Sequence, residues 1–254
     1  SVEAHIRDIR IPVLLMQGEN DTLFNLQEAV ATYRALRAEG TTVKMVWQSW
    51  GHNLEVPVRG EWVQGHGMLD TYEGQRVYAW FNRYLKGEDI STGPDFAYYR
   101  DWVPFDGSGP DTVQYAAANS YPVGHTVSYL TSGAASLVTK RSDVTSGSTT
   151  YANLAGPTPL SYSEVSDVQH QAPFSDIPPT DAPGSYAHWT SPPLTQDLDV
   201  VGVPTATLHL SSPATSNAIP GTELAFEQET GFALVPALGR MKQPAMKLGH
   251  SDRK

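Results

Sequence analysis

The sequence predicts an α/β segment followed by an all-β one, and three observations carry that expectation. A short continuous apolar run, Ile11-Pro12-Val13-Leu14-Leu15-Met16, is followed by a stretch of helical spacing and then a second strand-like run. That is the rhythm of an open, largely parallel sheet. Beyond about Gly87 the helical period vanishes, and short segments rich in Val, Thr and Tyr alternate with Gly, Pro, Ser and Asp clusters, as in a β-sandwich or jelly roll. Glycine (21) and proline (19) are abundant, which favours turn-rich β structure over a helical bundle. The expected division is an α/β part over 1–89, a partial jelly roll over 90–226 and an unpatterned basic tail over 227–254.

The 11–16 run is uninterrupted by polar residues, as in a strand buried on both faces of a parallel sheet. Gly18-Glu19-Asn20-Asp21 is the loop after it, and Asn25 with Glu28 forms a capping-box pattern that starts a helix. Leu26, Ala29, Val30, Tyr33 and Leu36 recur at helical spacing, and Gly40 stands where a C-terminal cap belongs. Thr42 to Trp47 is the next strand, followed by a Gly-rich loop over 51–67. A second helix is expected from about Leu69 to Lys86. Its buried stripe is read as Leu69, Tyr72, Val77, Trp80, Phe81, Tyr84 and Leu85, and Gly87 closes it. In the β-rich part, Val127 to Leu130 and Thr205 to Leu210 alternate at period two, while 142–187 is mostly loop-like. There is no internal repeat.

Composition excludes several functions. The 254 residues include no cysteine, which removes disulfides, thiolate-ligated metals and a thiol nucleophile. The formal net charge is −10. Nine basic and twelve acidic side chains fall in 1–89, three and fourteen in 90–239, and five and one in 240–254. An acidic body of this kind is no partner for nucleic acid, whose phosphates require basic patches. No apolar run approaches the ~18 residues of a membrane span. The sequence starts at Ser1 without a signal-like segment. Few lysines and many Ser, Thr and Gly lean faintly towards secretion, and the same composition occurs in cytoplasmic enzymes.

The sharpest chemical constellation is Asp21 with His52. Each follows the carboxyl end of an expected parallel strand, where ligands and catalytic groups collect in open α/β sheets. A carboxylate there can hold an imidazole in one tautomer, so that the ring's other nitrogen acts as general base towards a nucleophile. The alternative is that Asp21 caps the following turn and His52 is a surface loop residue. Glu19 is a second candidate carboxylate. No Gly-x-Ser-x-Gly occurs, and Ser108, in Gly107-Ser108-Gly109, reads as a loop residue. His52 and His66 with Glu55 and Glu61 lie in a Gly-rich loop without the short fixed spacing of metal ligands, so no metal and no cofactor is expected. Tyr98, Tyr99, Trp102 and Phe105 read as packing residues or the lining of a substrate cleft, and Tyr186, His188 and Trp189 as sandwich residues.

These residues resemble a known family. Ile11 to Asp21, then Trp50-Gly51-His52, then Phe81-Asn82-Arg83-Tyr84-Leu85-Lys86-Gly87 look like the end of the catalytic domain of X-Pro dipeptidyl-peptidase-type hydrolases, which include cocaine-esterase-like and glutaryl-acylase-like enzymes. Ser191 to Pro204 looks like the start of the main strands of their C-terminal jelly roll, and the likeness covers about residues 5–225. The resemblance implies the C-terminal portion of an α/β-hydrolase sheet joined to a partial jelly-roll β-sandwich. It matches Asp21 with the triad aspartate and His52 with the triad histidine. The family's serine, oxyanion hole and helical cap have no counterpart here, so the nucleophile is expected upstream of Ser1 and the fragment alone is expected to be inactive. The implied activity is release of an Xaa-Pro dipeptide through a serine acyl-enzyme, with a peptide or ester as substrate. An esterase or acylase of the same family is the alternative within the class, and a non-enzymatic jelly-roll binding module is the alternative outside it.

Overall fold

The computed structural model describes residues 3–19, 21, 24, 26–51, 61, 67–100, 102–104, 113–150, 186–196, 198–202, 207, 237–241 and 247–251. The chain forms two compact units, 1–123 with 167–171, and 124–166 with 172–254.

The first unit opens with a short helix, α1 (Glu3–Ile6), and the strand β1 (Val13–Gly18). Helix α2 (Leu26–Ala38) returns the chain to β2 (Val43–Gln48), which pairs parallel to β1 with Val13 opposite Val43 and Gly18 opposite Gln48. All five apolar positions expected on α2 are buried. The helix ends as its glycine requires. Gly40 takes φ +75°, its N–H donates to Arg37 O, and Thr41 N–H reaches back to Leu36 O, which closes the last carbonyls of the helix. The expected cap, Asn25, lies outside the described residues.

A single 3-10 turn (Met68–Asp70) precedes α3 (Tyr72–Leu85), where Thr71 Oγ accepts the Gly74 N–H at 3.1 Å. Gly87, at φ +74°, ends α3 with a turn one residue wider, Glu88 N–H to Asn82 O. The face that α3 buries corrects the sequence reading. Glu73, Gly74, Arg76, Trp80 and Asn82 are buried, whereas Leu69, Phe81, Tyr84 and Leu85 are exposed and Tyr72 and Val77 are half-buried. The reason is the seat: it offers hydrogen-bond partners, so the polar side of the helix turns inward. Arg76 Nη2 donates to Pro94 O at 2.8 Å, and Glu73 accepts from a tyrosine hydroxyl described below.

Two further strands complete the first sheet in the order β1-β2-β3-β4. β3 (Phe96–Tyr99) is parallel to β2, and β4 (Tyr115–Ala118) is antiparallel to β3. The sequence reading ended the α/β part at residue 89; in the structure 96–99 pairs with β2 and 115–118 pairs with β3, so the sheet continues past that point and the first unit includes residues up to Val123. Trp47 and Phe96 pack edge to face at 4.9 Å on one side of this sheet, with Tyr121 against both. Tyr99 is part of the buried cluster with Val46, Ala97 and Tyr115, and Tyr98 stacks on Phe96, so both pack within the first unit. Trp102 is half-buried, and Phe105 lies outside the described residues.

The second unit contains a sheet ordered β10-β7-β6-β5 and a two-stranded ribbon, β8-β9. β5 (Leu130–Ser132) and β6 (Ser136–Val138) form a hairpin turned at Gly133. The chain at 143–147 lies along it: Ser132 Oγ accepts the Thr145 N–H at 2.9 Å, and Gly133 N–H donates to Thr145 O. β7 (Tyr186–Thr190) joins β6 and exposes His188. β8 (Leu198–Gly202) falls inside the expected 191–204 strand region. The stretch read as an unpatterned tail contains β9 (Ala237–Met241), paired with β8, and β10 (Lys247–Ser251), paired with β7. A central glycine in each strand hides the alternation that would mark it, and backbone ladders form without it. The strand expected over 205–210 lies outside the described residues apart from Thr207.

Candidate active site at the ends of β1 and β2

Two parallel strands that end side by side bring their following loops together, and here both loops are tightened by glycine. A Cβ on Gly18 would fall 2.7 Å from Gly51 Cα, and a Cβ on Gly51 would fall 2.7 Å from Asp21 Cα. No side chain fits at either point, so the loop after β2 runs directly against the loop after β1. The ladder itself continues one step past the strands through Glu19 N–H to Gln48 O at 2.7 Å.

Asp21 stands at this crossing and is only 6% exposed. Its Oδ1 accepts the Phe24 N–H at 2.8 Å, and its Oδ2 faces Gln17 Nε2 at 3.3 Å. Asp21 therefore does cap the turn that follows β1. Each carboxylate oxygen carries two acceptor positions, so turn capping leaves capacity for a further donor. His52, the other sequence candidate, lies outside the described residues; it is the residue directly after Gly51. Glu19 is committed elsewhere, since its Oε1 accepts the Tyr99 N–H of β3 at 3.2 Å.

Sequence reasoning missed a second group of polar residues near the end of β2. Glu61, noted only as part of a metal pattern, is 1% exposed. Its Oε1 accepts the Ser49 N–H at 2.8 Å and its Oε2 accepts the Ser49 hydroxyl. Tyr115 Oη lies 3.1 Å from Glu61 Oε1 and 2.7 Å from Glu73 Oε1. Burial is the main cause that pushes the Glu61 carboxyl up to about 8; the bonds from Ser49 oppose it, the charge of Glu73 adds to it, and the Tyr115 bond opposes it. Nothing local in the sequence signals this cluster, because its members stand at 49, 61, 73 and 115.

Among the described residues, no group of three or more His, Cys, Asp or Glu is placed to hold a metal ion. His66 and Glu55 lie outside them. No helix among the described residues is long and apolar enough to cross a membrane. Compared with protein-family models, curated proteins and solved structures, the chain matches none of them.

Proposed function

We propose that this chain is part of a serine hydrolase of the X-Pro dipeptidyl-peptidase type, in which Asp21 and His52 are the acidic and basic members of a Ser-His-Asp triad. The serine would come from a portion of the protein outside these 254 residues. The observation that carries this reading is the approach of Gly51 to the Asp21 backbone, because Gly51 is bonded to the residue the triad needs beside Asp21. In that arrangement the Asp21 carboxylate, held by Phe24 and Gln17, orients the imidazole and stabilises its protonated form. The other ring nitrogen takes the serine proton as the acyl-enzyme forms and returns it to the leaving amine.

Turn capping and catalysis separate in one substitution. Asp21→Asn keeps an oxygen for the Phe24 N–H, so a residue that only caps the turn tolerates it. A triad aspartate does not, and by analogy with a serine protease the loss in kcat is ~10⁴-fold. Made in the longer protein that carries this chain, Asp21→Asn should leave the melting temperature nearly unchanged and abolish most Gly-Pro-anilide turnover. An unchanged rate removes Asp21 from the mechanism, and absence of any turnover before substitution leaves the binding-module reading. Nitrophenyl-ester turnover without Gly-Pro-anilide turnover assigns the esterase alternative.

A further inference from the structure

The meeting of two buried carboxyls at one hydroxyl has a consequence for protons. Tyr115 has one O–H, yet carboxyl oxygens lie within hydrogen-bond distance on two sides of it, Glu61 at 3.1 Å and Glu73 at 2.7 Å. With both carboxylates ionised, one of these contacts holds no proton and sets two bare oxygens against each other. With one carboxyl protonated, every contact is filled. Among the described residues, no Lys, Arg or His side chain forms an ion pair with Glu61 or Glu73. A buried pair without a cation holds a proton rather than two charges.

The groups around the pair come from four elements. Glu73 and Tyr72 belong to α3, with Tyr72 stacked on Tyr115 of β4 at 4.1 Å. Tyr99 of β3 stands edge-on to Tyr115 at 5.3 Å, and the carboxylate of Glu19, after β1, is bonded to the Tyr99 amide. Arg76, one turn along α3 from Glu73, directs its guanidinium to Pro94 O.

We propose that Glu61 is a positioning residue: by holding a proton where it meets Glu73 at the Tyr115 hydroxyl, it pegs the chain nine residues after His52 to the end of β2, to β4 and to α3, and the peg loosens as that proton is lost. The peg itself does not depend on the hydrolase reading.

The sign follows from the direction of the shift. The folded state keeps its proton up to about pH 8, whereas an opened Glu61 ionises near its ordinary value of 4.5. Closure therefore binds a proton between those limits, is strongest below the lower one, and is weakened progressively until the upper one is passed. Hydrogen exchange on the 254-residue chain reads this at the Ser49 amide, which donates to Glu61. After correction for intrinsic exchange, its opening constant should rise by up to about tenfold per pH unit between about pH 5 and 8, then level off.

Glu61→Gln imitates the protonated form and should remove that slope; Glu61→Ala should open at every pH. A flat wild-type profile, or the same slope in Glu61→Gln, overturns the proposal. Should the variants fail to fold, the carboxyl ¹³C titration of wild type decides: a Glu61 midpoint near 8 supports the peg, and one near 4.5 overturns it. Neither measurement depends on turnover, so the peg and the triad assignment fail separately.

Discussion

Helices α2 and α3 have nearly the same length, 13 and 14 residues, and each ends at a glycine with φ near +75° and a wide turn, back to the carbonyl five residues before in α2 and six before in α3. They differ in what they bury. α2 sets Leu26, Ala29, Val30, Tyr33 and Leu36 inward. Only one large apolar side chain of α3, Trp80, is buried, and it shares that side of the helix with Glu73 and Arg76. An apolar stripe predicts the inward face only when the opposing surface is apolar too. Under α2 it is, for β1 and β2 are Val, Leu and Met-rich. Against α3 stand the Tyr115 hydroxyl and the Pro94 carbonyl, which select polar partners.

The contrast is sharpened most by Leu36→Ala. Leu36 is fully buried, so the substitution removes apolar contact and leaves a cavity; about 2–5 kcal/mol of stability should be lost in equilibrium urea unfolding. A loss below 1 kcal/mol would mean that α2 is not seated as described.

Tyr115→Phe probes the other seat. The ring and its stacking on Tyr72 remain while the hydroxyl between Glu61 and Glu73 goes, which should cost about 1–3 kcal/mol. Combined with Glu61→Gln, the two changes should be non-additive, since they share one hydrogen-bonded group. Strict additivity in a double-mutant cycle would show that the hydroxyl does not link them.

The same contrast marks how far the sequence could be read. β1, β2 and α2 were legible because their signals are local: an apolar run, a period of 3.6, a terminal glycine. Asp21 was legible because position after a parallel strand is itself a signal. Glu61 was not, since its role depends on Tyr115 and Glu73, 54 and 12 residues further along, and no periodicity joins them. The buried face of α3 was misread for the same reason, and β9 and β10 were missed because strand pairing is decided by a distant partner.

The smallest effect is expected where the sequence reading placed core. Leu85 is 76% exposed and Phe81 53%, on a helix whose inward face is already filled by Trp80 and its polar neighbours. Leu85→Gln exchanges exposed apolar surface for polar surface at a position of comparable helix propensity, so stability should change by no more than about 0.5 kcal/mol. Urea unfolding of Leu85→Gln beside Leu36→Ala places the two helices on one scale. A loss at Leu85 as large as that at Leu36 would mean that this side of α3 is covered in solution, and that the helix buries both its polar and its apolar face.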